Sequence, residues 1–111
     1  MKELVKEDYR VLVGGKWWQF TTKISQAILL RDRVLCIFDY MEYPQDSPAA
    51  NLVAYDMNKN ELWAAENPSS SPVDAYVNFI TANPLKVWNF ACYICTIDPE
   101  TGKLLDSQFT K

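Results

Sequence analysis

Leu52-Val-Ala-Tyr-Asp-Met-Asn-Lys-Asn-Glu-Leu-Trp63 and, 42 positions later, Ile94-Cys-Thr-Ile-Asp-Pro-Glu-Thr-Gly-Lys-Leu-Leu105 align without a gap. Apolar, turn and acidic positions coincide, so one local structure is written twice. Asp56 and Asp98 open the central turn, where a carboxylate accepts from backbone amides two or three residues on. Asn60 and Gly102 then fall where a left-handed residue is expected, because those residue types tolerate that conformation best. Each copy reads as a β-hairpin.

Upstream, Arg33–Phe38 lies on residues 85–90 at an offset of 52, and the ten extra residues form an insertion, Tyr40 to Ala49, in the first copy. Residues 76–80 match residues 27–30 in role, which makes two units of about four strands each. The nearly continuous apolar character of residues 27–30 and 33–38, with Arg31 and Asp32 at the turn, predicts strands covered on both faces. In front of these, Gly14 and Gly15 separate two β-rich runs, residues 9–13 and 16–24, and supply the positive φ angles of a tight hairpin. In the second run Trp18, Phe20, Thr22 and Ile24 share one face, while Trp17, Gln19, Thr21 and Lys23 share the other. Helical periodicity competes over residues 1–7, where a short N-terminal helix is the alternative, and over residues 71–80.

The two hairpins, Leu52–Trp63 and Ile94–Leu105, have the form apolar-Tyr/Ile-Asp-x-x-x-Gly/Asn-x-Leu-Trp/Leu. In this they resemble the outer hairpin of quinoprotein-type β-propeller blades, whose repeat period is also near 42. The resemblance implies blade-like antiparallel meanders. Two blades cannot close a propeller, which needs at least four. The expected fold is therefore mostly β, two blade-like four-stranded units arranged as a sandwich, a curled sheet or a partial propeller. One domain spans residues 1–111, with a first meander over about 9–66, its preceding hairpin included, and a second over about 75–110. No position matches the family's quinone or metal ligands, so the resemblance implies no activity.

Composition narrows the function classes. With 49% hydrophobic and 14% aromatic residues, burial offsets the cost of ordering the chain. No apolar run approaches the roughly 20 residues that span a bilayer, and residues 1–10 are too polar for the core of a secretory signal, so a cytoplasmic protein without membrane contact is expected. The three cysteines, Cys36, Cys92 and Cys95, are too few and odd in number for a disulfide scaffold and read as buried free thiols. The chain has no histidine and a formal net charge of −3. The first removes the commonest general base and metal ligand, and the second makes nucleic acid an unlikely partner and a basic protein a suitable one.

Candidate chemistry is sparse. Cys92-Tyr-Ile-Cys95 has the spacing of zinc and dithiol motifs, but residues three apart on a strand point to opposite faces and no second pair completes a site. Ser69, Ser70 and Ser71 lack the usual activating base, and residues 66–74 read as a connecting loop. No catalytic residue, metal ligand or cofactor is therefore assigned, and a non-enzymatic role is expected. The insertion, Asp39-Tyr-Met-Glu-Tyr-Pro-Gln-Asp-Ser-Pro48, interleaves acids with aromatics. Tyrosines are enriched at binding hot spots, and neighbouring carboxylates pair with partner Lys or Arg. Tyr40, Glu42, Tyr43 and Asp46 are the expected partner-binding set, supplemented by Glu66 and Asp74. The most concrete expectation is an immunity or inhibitor protein that neutralises a basic, nuclease-type toxin. The alternative is a structural protein whose exposed sheet edges, Leu104–Phe109 or the N-terminal hairpin, pair in a homodimer to complete the β core.

Overall fold

A computed structural model describes residues 1–110. Eleven strands run in chain order: β1 (Lys2–Glu3), β2 (Arg10–Val13), β3 (Lys16–Gln19), β4 (Ile24–Leu30), β5 (Arg33–Phe38), β6 (Leu52–Tyr55), β7 (Glu61–Ala64), β8 (Tyr76–Ala82), β9 (Leu85–Asn89), β10 (Tyr93–Ile97) and β11 (Leu104–Phe109). All pairings are antiparallel. They form a five-stranded sheet ordered β1-β4-β5-β6-β7, a four-stranded sheet ordered β11-β10-β9-β8, and the separate hairpin β2-β3. The two predicted four-stranded meanders are thus β4 to β7 and β8 to β11.

Three layers follow from alternation along β5. Leu35 and Ile37 face the four-stranded sheet and join Ile28, Leu52, Trp63, Phe79, Val87 and Ile97 in the larger core. Val34, Cys36 and Phe38 face the other way and pack under Val11, Val13 and Trp18 of the hairpin. The strand predicted to be covered on both sides is covered on both sides, because every second residue belongs to a different core.

Four local expectations are corrected. Residues 1–7 form no helix: Lys2 and Glu3 pair with Leu29 and Ile28 of β4, since two apolar residues are too few to hold a helical face. The periodicity over residues 71–80 likewise ends in β8. The run 16–24 is two strands, not one. β3 ends at Gln19, the backbone turns through residues 20–23, and β4 starts at Ile24 to enter the other sheet.

The gapless repeat is the fourth. In the first hairpin the left-handed residue is Lys59 (φ 67°), not Asn60, while in the second it is Gly102 (φ 77°). Tyr55 pairs with Glu61 across one turn and Ile97 with Leu104 across the other, so the second turn is one residue longer. One residue reverses every side chain that follows. Trp63 is therefore buried, at 8% exposure, while its sequence counterpart Leu105 points outward at 62%. The aspartates do open both turns as expected: Asp56 Oδ1 accepts from the Asn58 and Asn60 amides at 2.8 and 2.9 Å, and Asp98 Oδ1 from Glu100 at 2.9 Å. Gly102 is required for a further reason, since a Cβ there would lie 2.6 Å from the Trp63 ring.

Candidate functional site

Three segments meet at one end of the sheets: the insertion, the loop before β8, and the turn after β9. The insertion opens with a single 3-10 turn, Tyr40–Glu42, whose first free amide, that of Met41, is capped by Asp39 at 2.9 Å. This local bond turns the chain out of β5 and places the Tyr40 ring 5.2 Å from that of Phe90. Between the loops lies an apolar cleft of about 210 Å³, with Tyr40, Pro44, Ala49, Pro72, Val73 and Phe90 in its wall. Val73 and Phe90 remain 54% and 48% exposed, and the adjacent Met41 64%.

Beneath the cleft is a buried polar hub. Asp74 has no exposed surface. One carboxylate oxygen accepts from Asn67 Nδ2 at 3.0 Å and Asn89 Nδ2 at 2.6 Å. The other accepts from the Ser69 amide at 2.9 Å and the Ser69 hydroxyl at 2.5 Å. Asn67 also donates to the Ala49 carbonyl at 3.1 Å, and the Ala49 amide donates to the Asp74 carbonyl at 2.8 Å. The Asp74 carboxylate thus ties the loop before β8 to the end of β9, while its backbone carbonyl and Asn67 hold the insertion at Ala49, and the carboxylate's hydrogen-bonding capacity is satisfied as burial demands. A second buried amide, Asn51, donates to the Phe38 and Tyr76 carbonyls at 2.8 Å each and accepts from the Tyr76 amide at 2.9 Å, joining the two sheets just behind the cleft.

The expected partner-binding residues divide accordingly. Tyr40 lines the cleft, and exposed Asp46 lies between its lining residues Gln45 and Ser47. Glu42 is exposed on the same insertion and accepts from the Lys23 amide at 3.3 Å. Tyr43 turns away and packs half-buried against the core under the hairpin. Burial, with a smaller contribution from Glu61, pushes its phenol up from the ordinary value. Glu66 sits at the far seam between the sheets, where its carboxylate accepts from the Leu104 amide at 2.8 Å. Asp74 is a correction: it is the buried hub, not an epitope, because four donors converging on a carboxylate hold it inside. Cys92 is a correction too, being exposed while Cys36 and Cys95 are buried.

Phe90, Pro72 and Val73 join the site without a motif to mark them. Their signal was weak, since only the fold brings residues 72, 73 and 90 beside the insertion. One signal is readable in the chain, an uneven division of charge to which the insertion contributes Asp39, Glu42 and Asp46. Residues 34–85 carry seven acids and one base, Lys59, whereas the remainder carries seven acids and ten bases, a net −6 against +3. Lys59 is occupied over the Phe20 ring at 4.8 Å and on the Gln19 carbonyl. Among the described residues none of those seven acids is in an ion pair, and no three His, Cys, Asp or Glu side chains are grouped as metal ligands.

Sheets, hub and loop cluster define a mostly β domain with an apolar cleft beside its acidic insertion. The chain belongs to the family described as a domain of unknown function (DUF7957), whose model matches residues 1–109. No curated protein and no solved structure matches it.

Proposed function

We propose that this chain is a non-catalytic protein-binding domain that engages a basic partner through its insertion end, most concretely an inhibitor or immunity protein neutralising a basic, nuclease-type toxin. The observation that carries this reading is the insertion itself: Asp39, Glu42 and Asp46, none of them in an ion pair among the described residues and with no Lys or Arg from residue 34 to residue 58, stand beside the exposed Met41, Val73 and Phe90. Nuclease sites are positively charged to hold phosphate, and a complementary acidic surface accelerates encounter with them. Tyr40, Glu42 and Asp46 form the contact.

The test is capture of the partner on the immobilised full chain, identification by mass spectrometry, and stopped-flow association of the purified pair. Replacing Glu42 and Asp46 together by Lys is expected to slow association about tenfold or more at low salt, with the difference shrinking as salt rises. An unchanged on-rate at low salt would overturn the reading. The nuclease version is decided separately, by whether the bound chain abolishes the partner's cleavage of DNA or RNA.

One observation favours a second reading, assembly into a homodimer. β11 is the outer strand of its sheet, and Leu105 and Phe109 on it are both 62% exposed, the condition under which an edge pairs with another chain. Sedimentation equilibrium distinguishes the two, since a monomer at 100 μM (roughly 10⁵-fold above a nanomolar dimer constant) removes it.

A further inference from the structure

The acidic surface accounts for attraction to a base but leaves the cleft itself unexplained. Its wall is mainly apolar and aromatic, with Gln45 and Ser47 on the insertion side, and two of its members, Val73 and Phe90, stand about half exposed at the rim. A mainly apolar recess of about 210 Å³ exceeds the roughly 150 Å³ cavity that takes up a benzene ring. It therefore has room for one large side chain. Its shape is set in advance, because the Asp74 carboxylate binds Asn67, Ser69 and Asn89 and the Asp74 backbone carbonyl accepts from the Ala49 amide, so all three walls are tied to one buried residue. Preorganised apolar pockets are where a partner's anchor residue gains most, since little ordering remains to be done on binding.

Charge then selects the flanks of that anchor. Asp39, Glu42 and Asp46 lie on the insertion that forms one wall, and no Lys or Arg occurs from residue 34 to residue 58. We infer that the cleft is the receptor for a single aromatic or large aliphatic side chain of the partner, presented on an extended segment with Lys or Arg beside it. This rests on the protein-binding reading above and names the chemistry of the partner's contact segment. The anchor sits against Phe90, Val73 and Tyr40, and the flanking cations face Asp46 and Glu42.

The experiment uses the full chain, ¹⁵N-labelled, titrated with acetylated, amidated five-residue peptides: Gly-Arg-Phe-Arg-Gly, its central Leu and Ala analogues, and Gly-Glu-Phe-Glu-Gly. The Phe and Leu peptides are expected to shift the amides around residues 40, 73 and 90, with the Phe peptide binding at least tenfold more tightly than the Ala peptide. The Glu-flanked peptide is expected to leave the spectrum unchanged. Phe90→Ala should weaken the Phe peptide about tenfold, whereas Trp17→Ala, an exposed aromatic on the separate β2-β3 hairpin, should not. Far-UV circular dichroism of both variants separates a lost contact from a lost fold, and Val73→Asp supplies a second cleft variant. Equal binding of the Phe and Ala peptides would overturn the anchor while leaving the acidic-surface reading standing. Equal binding of Arg- and Glu-flanked peptides would count against the basic flanks and that reading together. No binding of any peptide at millimolar concentration overturns the anchor, and cleft shifts that track protein concentration without peptide assign it to a second copy instead.

Discussion

Cys36 has no exposed surface and burial pushes its thiol up to about 12; Cys95, also buried, is pushed up to about 11, mainly by the same desolvation. Cys92 lies exposed in the turn before β10 with φ 71°. The thiolate is the reactive form, so a disulfide-exchange reagent at pH 8 is expected to modify one thiol per native chain and three after unfolding. Labelling of two or more in the native state would contradict the buried placement. The same values predict an alkaline limit. In the unfolded chain these thiols titrate near roughly 8.5, so the native state keeps protons that the unfolded state loses between about pH 9 and pH 12. Stability from this source is complete below pH 8 and falls as pH rises through that window. Cys36→Ala should flatten the urea midpoint against pH there, and an unchanged slope would count against it.

At the scale of one element, the β2-β3 hairpin turns on two neighbouring tryptophans. Gly14 and Gly15, with φ of 56° and 81°, close it in the geometry that only residues tolerant of positive φ adopt cheaply. Alternation then sends Trp18 into the core with 8% exposure and leaves Trp17 at 40%, under the Arg10 guanidinium at 4.0 Å from its ring. Trp18→Ala opens a cavity above Val34, Cys36 and Val53 and is expected to cost about 3–5 kcal/mol. Trp17→Ala loses one exposed cation-π contact, about 0.5–1 kcal/mol. Urea denaturation of the two variants checks this, and comparable losses would mean that the hairpin does not cap that core. The same alternation explains the repeat, where one extra turn residue exposes Leu105 in place of a counterpart to Trp63.

Across the whole molecule, the two sheets are joined by polar bonds as well as by a common core. Asn51 bridges Phe38 and Tyr76, Gln26 accepts from the Phe79 amide at 2.9 Å, and Arg33 and Trp63 both donate to the Pro99 carbonyl, at 2.6 and 3.1 Å. Because β5 contributes to both cores, neither can be lost alone. Unfolding is expected as one transition, with near- and far-ultraviolet circular dichroism coincident. Asn51→Ala strands buried backbone groups and should lower stability by about 3 kcal/mol without splitting that transition. A tertiary signal that disappears before the strand signal would show the layers to be independent.

The sequence by itself determined the strands, the two meanders, the Gly-Gly hairpin and the double coverage of β5, because alternation and turn chemistry act between residues a few positions apart. It also marked the insertion and carried the acidic division of residues 34–85. Only the tertiary structure decided which face each repeat presents, since a single extra turn residue inverts it. It alone decided that Asp74 is a buried hub, that the Tyr43 ring packs on the core under the hairpin while the Glu66 carboxylate binds the Leu104 amide, and that Phe90 completes the cleft. These depend on which loops converge, a matter of contacts between residues tens of positions apart that no local pattern encodes.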